Sequence, residues 1–278
     1  MTKQIKLANG TLMPLIGYGT FRVEDSVELM EAVYTAIKVG YRSIDTAQIY
    51  GNEKSVGAGI NKAIDEGIVS REDLFITTKV WNNGLSYDET IEAFETSLKK
   101  LNVNYLDLYL IHWPGNGKYL EPWKALESLY NEGRIKAIGV SNFNVNHLEE
   151  LMKIGSTKPM VNQVELHPRL KQTDLIKYCK DNGIQIESWS PLMNGELLDH
   201  AMITKIAEKH NKTSAQIILR WNVQQGIVTI PKSMTYERIK SNLEIFDFEL
   251  SNEEMIEIDS LNDNTRIGPD PVSFDFDI

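Results

Sequence analysis

Short apolar, strand-like runs alternate with longer segments of helical period along nearly the whole chain, and that rhythm restricts the fold more than any other feature. The runs are Leu15-Ile16-Gly17, Ser43-Ile44-Asp45 and residues 74–79, 106–111, 135–140, 160–165, 184–189 and 227–230. Over Val27–Val39 apolar residues recur at helical spacing, with Leu29, Val33 and Ile37 on one face and Gly40 as the stop. Further helices are expected over 53–66, ended by Gly67, and over 87–101, 122–132, 145–153, 173–182, 201–224 (in two pieces) and from 235 through 239. A last one, 252–261, has Ser251 as N-cap and Glu254 three residues on, the pattern of a capping box. Ahead of the series, Asn9-Gly10 between Ile5-Lys6-Leu7 and Thr11-Leu12-Met13 marks a hairpin over 3–14.

Strands alternating with helices imply a parallel sheet. Eight such units in 278 residues fit an α/β fold of the (β/α)₈ barrel type, a TIM barrel, with the N-terminal hairpin closing its bottom. The rival is a doubly wound open sheet, which should carry a G-x-G-x-x-G turn. The nearest candidate, Gly17-Tyr18-Gly19-Thr20-Phe21-Arg22, lacks the third glycine. No linker, repeat or low-complexity segment divides the chain, so residues 1–278 are expected to form a single domain. A formal net charge of -10 argues against nucleic acid and anionic membranes as partners. No run is long enough to span a bilayer, and Met1 to Lys6 lack the apolar core of a secretory signal. The single cysteine, Cys179, reads as a buried helix residue and suits a reducing cytoplasm.

In such a barrel the C-terminal strand ends build the active site. Here they carry Asp45, Lys79, His112, Ser141-Asn142, Gln163, Trp189-Ser190 and Lys232-Ser233, with Tyr50 in the loop after Asp45. An acid, a phenol, an ammonium and an imidazole in one place make a proton-transfer site whose donor is a tyrosine, which suits reduction of a carbonyl. A free phenol ionises near pH ~10, and a neighbouring ammonium favours its ionised form. Each residue taken alone also has a plain structural reading: Asp45 and Lys79 as a barrel ion pair, Tyr50 as a packed loop residue, His112 as a satisfied core histidine. No histidine pair has the i, i+4 spacing of a zinc motif and no H-x-H ends the first strand. No metal site is therefore expected.

Several segments, in order, resemble the aldo-keto reductase family of prokaryotic type, from about Leu7 to Asp263. They are Gly40-Tyr41-Arg42-Ser43-Ile44-Asp45-Thr46-Ala47 with Tyr50 and Gly51-Asn52-Glu53, then Thr78-Lys79-Val80-Trp81 and Asp107-Leu108-Tyr109-Leu110-Ile111-His112-Trp113-Pro114. Ile138-Gly139-Val140-Ser141-Asn142-Phe143, Asn162-Gln163-Val164-Glu165, and Ile230-Pro231-Lys232-Ser233 through Arg238 and Asn242 complete the set. The resemblance implies Tyr50 as general acid, Lys79 and Asp45 as the pair that tunes it, and His112 as orienter of the carbonyl. It implies NADPH as hydride source. Gly19, Thr20 and Phe21 would lie along the cofactor. Ser141, Asn142 and Gln163 would hold the nicotinamide carboxamide, Trp189 would stack on its ring, and Ser190 and Leu192 would follow the pyrophosphate.

Lys232, Ser233 and Arg238 would take the 2′-phosphate, which favours NADPH over NADH, and Asn242 the adenine end. Several relatives carry Glu just before that Asn; this chain has Ser241. Phe21, Trp81 and Trp113 would line the substrate pocket with Tyr50 and His112. The loop 114–121 is short where larger eukaryotic members carry an insertion, which implies an open, shallow site. The tail, 268–278, with Phe274 and Phe276, is expected either to fold over the mouth or to fray. The function so implied is NADPH-dependent reduction of aldehydes and ketones: methylglyoxal, glyoxal, substituted benzaldehydes or keto-sugars such as 2,5-diketogluconate. The alternatives are an NADPH-binding redox-sensing regulatory subunit and, from the barrel alone, a metal-dependent hydrolase. A monomer is expected.

Overall fold

A computed structural model of the chain describes residues 3–81 and 85–274. Strands β1 (Gln4–Lys6) and β2 (Leu12–Pro14) form the antiparallel hairpin. Its loop is longer than a bare Asn-Gly turn: the Leu7 N–H donates to Thr11 O and the Gly10 N–H to Leu7 O, both at 2.9 Å. Gly10 alone takes the left-handed conformation, at φ 92°. Asn9 uses its side chain instead, donating at 2.8 Å to the Lys136 carbonyl at the bottom of the sheet. Leu7 and Met13 are buried there, so the hairpin covers the base of the barrel.

The eight-stranded sheet runs in chain order: β3 (Tyr18–Gly19), β4 (Ser43–Asp45), β5 (Phe75–Val80), β6 (Leu106–Ile111), β7 (Ile135–Ser141), β8 (Val161–Glu165), β9 (Gln185–Trp189) and β10 (Val228–Thr229). Each neighbouring pair is parallel. The run Leu15-Ile16-Gly17, read as the first strand, closes the sheet on itself. Ile16 bridges Thr229 in parallel, Gly17 N–H donates to Thr229 O at 2.9 Å, and Thr229 N–H donates to Leu15 O at 3.1 Å. Regular pairing with β4 starts just after that run, at Tyr18. Every residue of β6 is buried, one face toward the barrel interior and the other toward helices, which is why its sequence is mostly apolar rather than alternating; the exception, Asp107, is held by Arg71 and Lys136.

Around the barrel lie α1 (Val27–Val39), α2 (Glu53–Asp65), α3 (Tyr87–Leu101), α4 (Leu120–Asn131), α5 (Val145–Ile154), α6 (Thr173–Asp181), α7 (Ala201–His210), α8 (Ser214–Gln224), α9 (Tyr236–Leu243) and α10 (Asn252–Asp259). The expected break within 201–224 falls at Asn211, in the left-handed conformation, and Thr213 starts α8 with a capping box. α4 begins two residues before the apolar pattern suggested, with Pro122 in its first turn, where a missing N–H is tolerated. α9 runs past residue 239 to Leu243. Ser251 and Glu254 form the capping box read for α10. Cys179 is buried on α6, and burial pushes its thiol up to about 12. Among the described residues no helix is long and apolar enough to cross a membrane.

Candidate active site

Side chains alternate along a strand, so Ser43 and Asp45 on β4, and Thr77 and Lys79 on β5, point into the barrel. Lys79 is fully buried, and its ammonium uses all three donors: Asp45 Oδ1 at 2.7 Å, Thr46 O at 2.8 Å and the Tyr50 hydroxyl at 3.4 Å. Burial works against the charge, yet Asp45, Tyr50 and Glu187 outweigh it and hold the ammonium above its ordinary range. A buried ion pair is poor value for stability compared with packed apolar residues. Its position beside a phenol gives it a chemical use.

Tyr50 ends a short 3-10 turn, Gln48–Tyr50, which Gly51 closes. Its ring lies 4.9 Å from Phe21 and, edge-on, 5.6 Å from His112. Burial raises the phenol, Lys79 lowers it, and the net direction is upward. Lys79 acts in the expected direction, but burial outweighs it, and the phenol rests protonated. His112 is held well below its ordinary range by burial and then by Lys79, so the imidazole is neutral. Its Nδ1 is buried with no partner among the described residues. A buried bare acceptor is tolerated better than a buried donor, which puts the proton on Nε2.

Strands β7 to β9 build the opposite wall. Ser141 donates to Gln163 O at 2.8 Å. Asn142 donates to His112 O at 3.0 Å and accepts from the Trp189 indole at 2.8 Å. Gln163 Nε2 donates to Asp45 Oδ2 and to Glu187 Oε2, each at 2.8 Å. Glu187 was not among the residues singled out from sequence. A signal was there: an acid inside a strand, two positions before Trp189 and so on the same face. Asn52 was quoted in a motif without a role. It is buried and ties two loops together, accepting from Thr46 Oγ1 at 2.8 Å and donating to Thr20 O at 3.0 Å and Val23 O at 2.9 Å. Thr20 in turn donates to Asp45 O at 2.9 Å.

Gly19 donates to Pro231 O at 3.1 Å, joining this centre to the segment after β10. There Lys232 and Arg238 are exposed, while Ser233 and Asn242 are buried. No ion pair involves either cation among the described residues. Thr235 leaves the first turn of α9 without a side-chain cap, so its N–H groups suit an anion. Ser190, at φ 47°, and Leu192 are half-buried in the loop after β9.

Trp81 stands edge-on to His112 at 5.4 Å. Phe274 packs on Trp113 at 4.5 Å and reaches Trp81 at 6.4 Å, so the tail crosses the mouth. It is fastened on the way: Ile267 and Gly268 N–H groups donate to Glu165 at 2.7 and 3.0 Å. A Cβ at Gly268 would meet the Trp189 ring at 2.4 Å, so only glycine fits. Phe276 lies outside the described residues.

A model of the aldo/keto reductase family matches residues 6–263. The glyoxal reductase of Bacillus subtilis (strain 168) is 60% identical over 267 residues, covering 96% of this chain and 95% of that protein. Methylglyoxal reductase DkgA of Yersinia pestis is 46% identical over 284 residues, covering 100% of each. Among solved structures, an aldo-keto reductase of Bombyx mori in complex with NADP superposes with a TM-score of 0.91 at 37% identity, covering 97% of this chain and 95% of that one. The chain belongs to the aldo/keto reductase family.

Proposed function

We propose that this protein reduces small reactive carbonyls, glyoxal and methylglyoxal foremost, with Tyr50 as the proton donor. The chain is an NADP-dependent oxidoreductase, and its reaction is reduction of aldehydes and ketones to alcohols. The observation that carries the assignment of residues is the Lys79 ammonium, fully buried and bonded at once to Asp45 and to Tyr50. NADPH supplies the hydride to the carbonyl carbon when bound. Tyr50 gives its phenolic proton to the carbonyl oxygen, and Lys79 stabilises the phenolate left behind. Asp45 keeps Lys79 charged and in place. Neutral His112 orients the carbonyl by donating from Nε2. General acid catalysis of this kind is worth about 10²–10⁴ in rate.

Observations on several residues support the cofactor's course. Lys232, Arg238 and the uncapped start of α9 suit the 2′-phosphate. Ser233 and Asn242 flank it, and Ser241 stands where relatives carry an acid. Ser141, Asn142 and Gln163 face the nicotinamide end, beside the half-exposed Trp189. Gly19, Thr20, Ser190 and Leu192 line the path between. Phe21, Trp81, Trp113 and Phe274 form the aromatic walls over Tyr50 and His112. We take the protein to act as a single-domain monomer in the cytoplasm. No observation favours the regulatory-subunit reading.

The test is loss of NADPH absorbance with methylglyoxal and with 4-nitrobenzaldehyde, each repeated with NADH. Turnover with NADPH, and far less with NADH, is expected. Absence of turnover with both carbonyls would overturn the reading.

A further inference from the structure

A second carboxyl lies under the reductase centre. Glu187 is 1% exposed on β9, in register with Gln163 on β8. The Gln163 amide nitrogen has two hydrogens, and each meets a carboxyl oxygen: Asp45 Oδ2 and Glu187 Oε2. Turned over, the amide would set its oxygen against the Asp45 carboxylate, which is repulsive. The present orientation is therefore fixed by chemistry. The charged and titratable groups that act on Glu187 are Asp45 from β4, Lys79 from β5 and Tyr50 from the turn after β4. Its strand neighbours supply only Gln163 and Val228. Its other oxygen, Oε1, has no partner among the described residues.

Resting on the reductase reading, we propose that Glu187 is a positioning residue for this reaction. With Asp45 it locks the Gln163 amide, leaving Gln163 Oε1 as the only atom of that side chain free to accept from a carboxamide N–H of the cofactor. Glu187 also couples the proton donor to pH. Burial, then Asp45, pushes its carboxyl up to about 8. Below that pH it is neutral and still accepts from Gln163 at Oε2. Above it, a second negative charge joins Asp45, and Tyr50 and Lys79 both hold their protons more tightly. A tighter proton makes Tyr50 a weaker donor, so reduction slows through that pH.

Two variants and three readouts test this. Glu187→Gln keeps an acceptor for Gln163 and cannot ionise; Glu187→Leu removes the acceptor. NADPH affinity is read by quenching of protein fluorescence. Glu187→Leu is expected to bind NADPH about 5- to 10-fold more weakly, the loss of one hydrogen bond, and Glu187→Gln to restore most of that loss. The pH profile of kcat/KM for methylglyoxal should fall through about pH 8 in the wild type. In Glu187→Gln that step should vanish or move to higher pH. Infrared difference spectra should show a buried carboxylic C=O band titrating with the same midpoint in the wild type and missing in Glu187→Gln. Profiles and spectra that superimpose for wild type and Glu187→Gln overturn the proposal, even if Glu187→Leu fails to fold. A wild type that reduces no carbonyl overturns the reductase reading, and this proposal with it.

Discussion

Tyr50 sits in a conflict that only the folded protein creates. Burial holds the proton on, and Lys79 pulls it off. The balance favours a protonated phenol with a ready stabiliser for its anion, which is the state a donor needs before each turnover. Tyr50→Phe removes the proton and the long 3.4 Å bond from Lys79, and leaves the Asp45 pair intact. Carbonyl reduction should fall by about 10²–10⁴, while NADPH quenching of fluorescence stays near wild type; substantial residual turnover would remove Tyr50 as the acid. Lys79→Met should also nearly stop catalysis, but for a second reason. It leaves the Asp45 carboxylate buried with only Gln163, and breaking a buried pair in this way costs about 3–5 kcal/mol. Chemical denaturation should show that loss, and Tyr50→Phe should not. Glu187 adds a pH signature of its own. Unfolded, its carboxyl releases a proton near the ordinary 4.5; folded, it does so only at about 8. Between those values the folded state binds more protons, so stability falls as pH rises. Melting temperatures across that window should drop more steeply in the wild type than in Glu187→Gln.

On the proposed reading, elements rather than single residues would place the cofactor's phosphate. Lys232 leaves β10 and Arg238 rides on the first turns of α9, both exposed in a chain of net charge -10. Lys232→Ala should raise the NADPH dissociation constant about tenfold, the loss of one charge-assisted hydrogen bond to a phosphate. NADH binding should change by less than about twofold; equal losses for both would contradict the phosphate assignment. These candidates stand close together in the sequence: Lys232 and Ser233 follow a strand, and Arg238 and Asn242 lie on the next helix. The barrel was legible in the sequence because strand and helix periods are local. What was not legible depends on side-chain phase across strands. Glu187 meets Asp45 only through Gln163, on a strand between them, and no local pattern announces that. The first strand was misplaced because Leu15-Ile16-Gly17 closes the sheet by one bridge, while regular pairing starts at Tyr18. Backbone strain was equally silent: Asn142 and Ser190 hold φ of 64° and 47° at two strand ends of the site, where such conformations cluster in functional regions.

At the scale of the whole molecule, the tail links the two halves of the barrel mouth. It is fastened at Glu165 and Trp189 on one side and reaches Trp113 and Trp81 at the other through Phe274. A short loop after β6 was expected to leave the site open; Phe274 packs on Trp113 where that loop begins. Burial raises the Glu165 carboxyl, but bonds from His167 and from the Ile267 and Gly268 N–H groups outweigh it and hold it below its ordinary range. A depressed acid stabilises above its unfolded pKa and loses that contribution as pH falls through the folded one. The strap is therefore fastened at neutral pH and weakens only in acid. Phe274→Ala leaves the fastening and removes the aromatic wall. An aromatic contact is worth about 0.5–1.5 kcal/mol, so KM for 4-nitrobenzaldehyde should rise by up to about tenfold. Methylglyoxal has no ring to stack, and its KM should move by less than about twofold. Equal rises for the two substrates would mean that Phe274 holds the strap in place and does not contact the substrate.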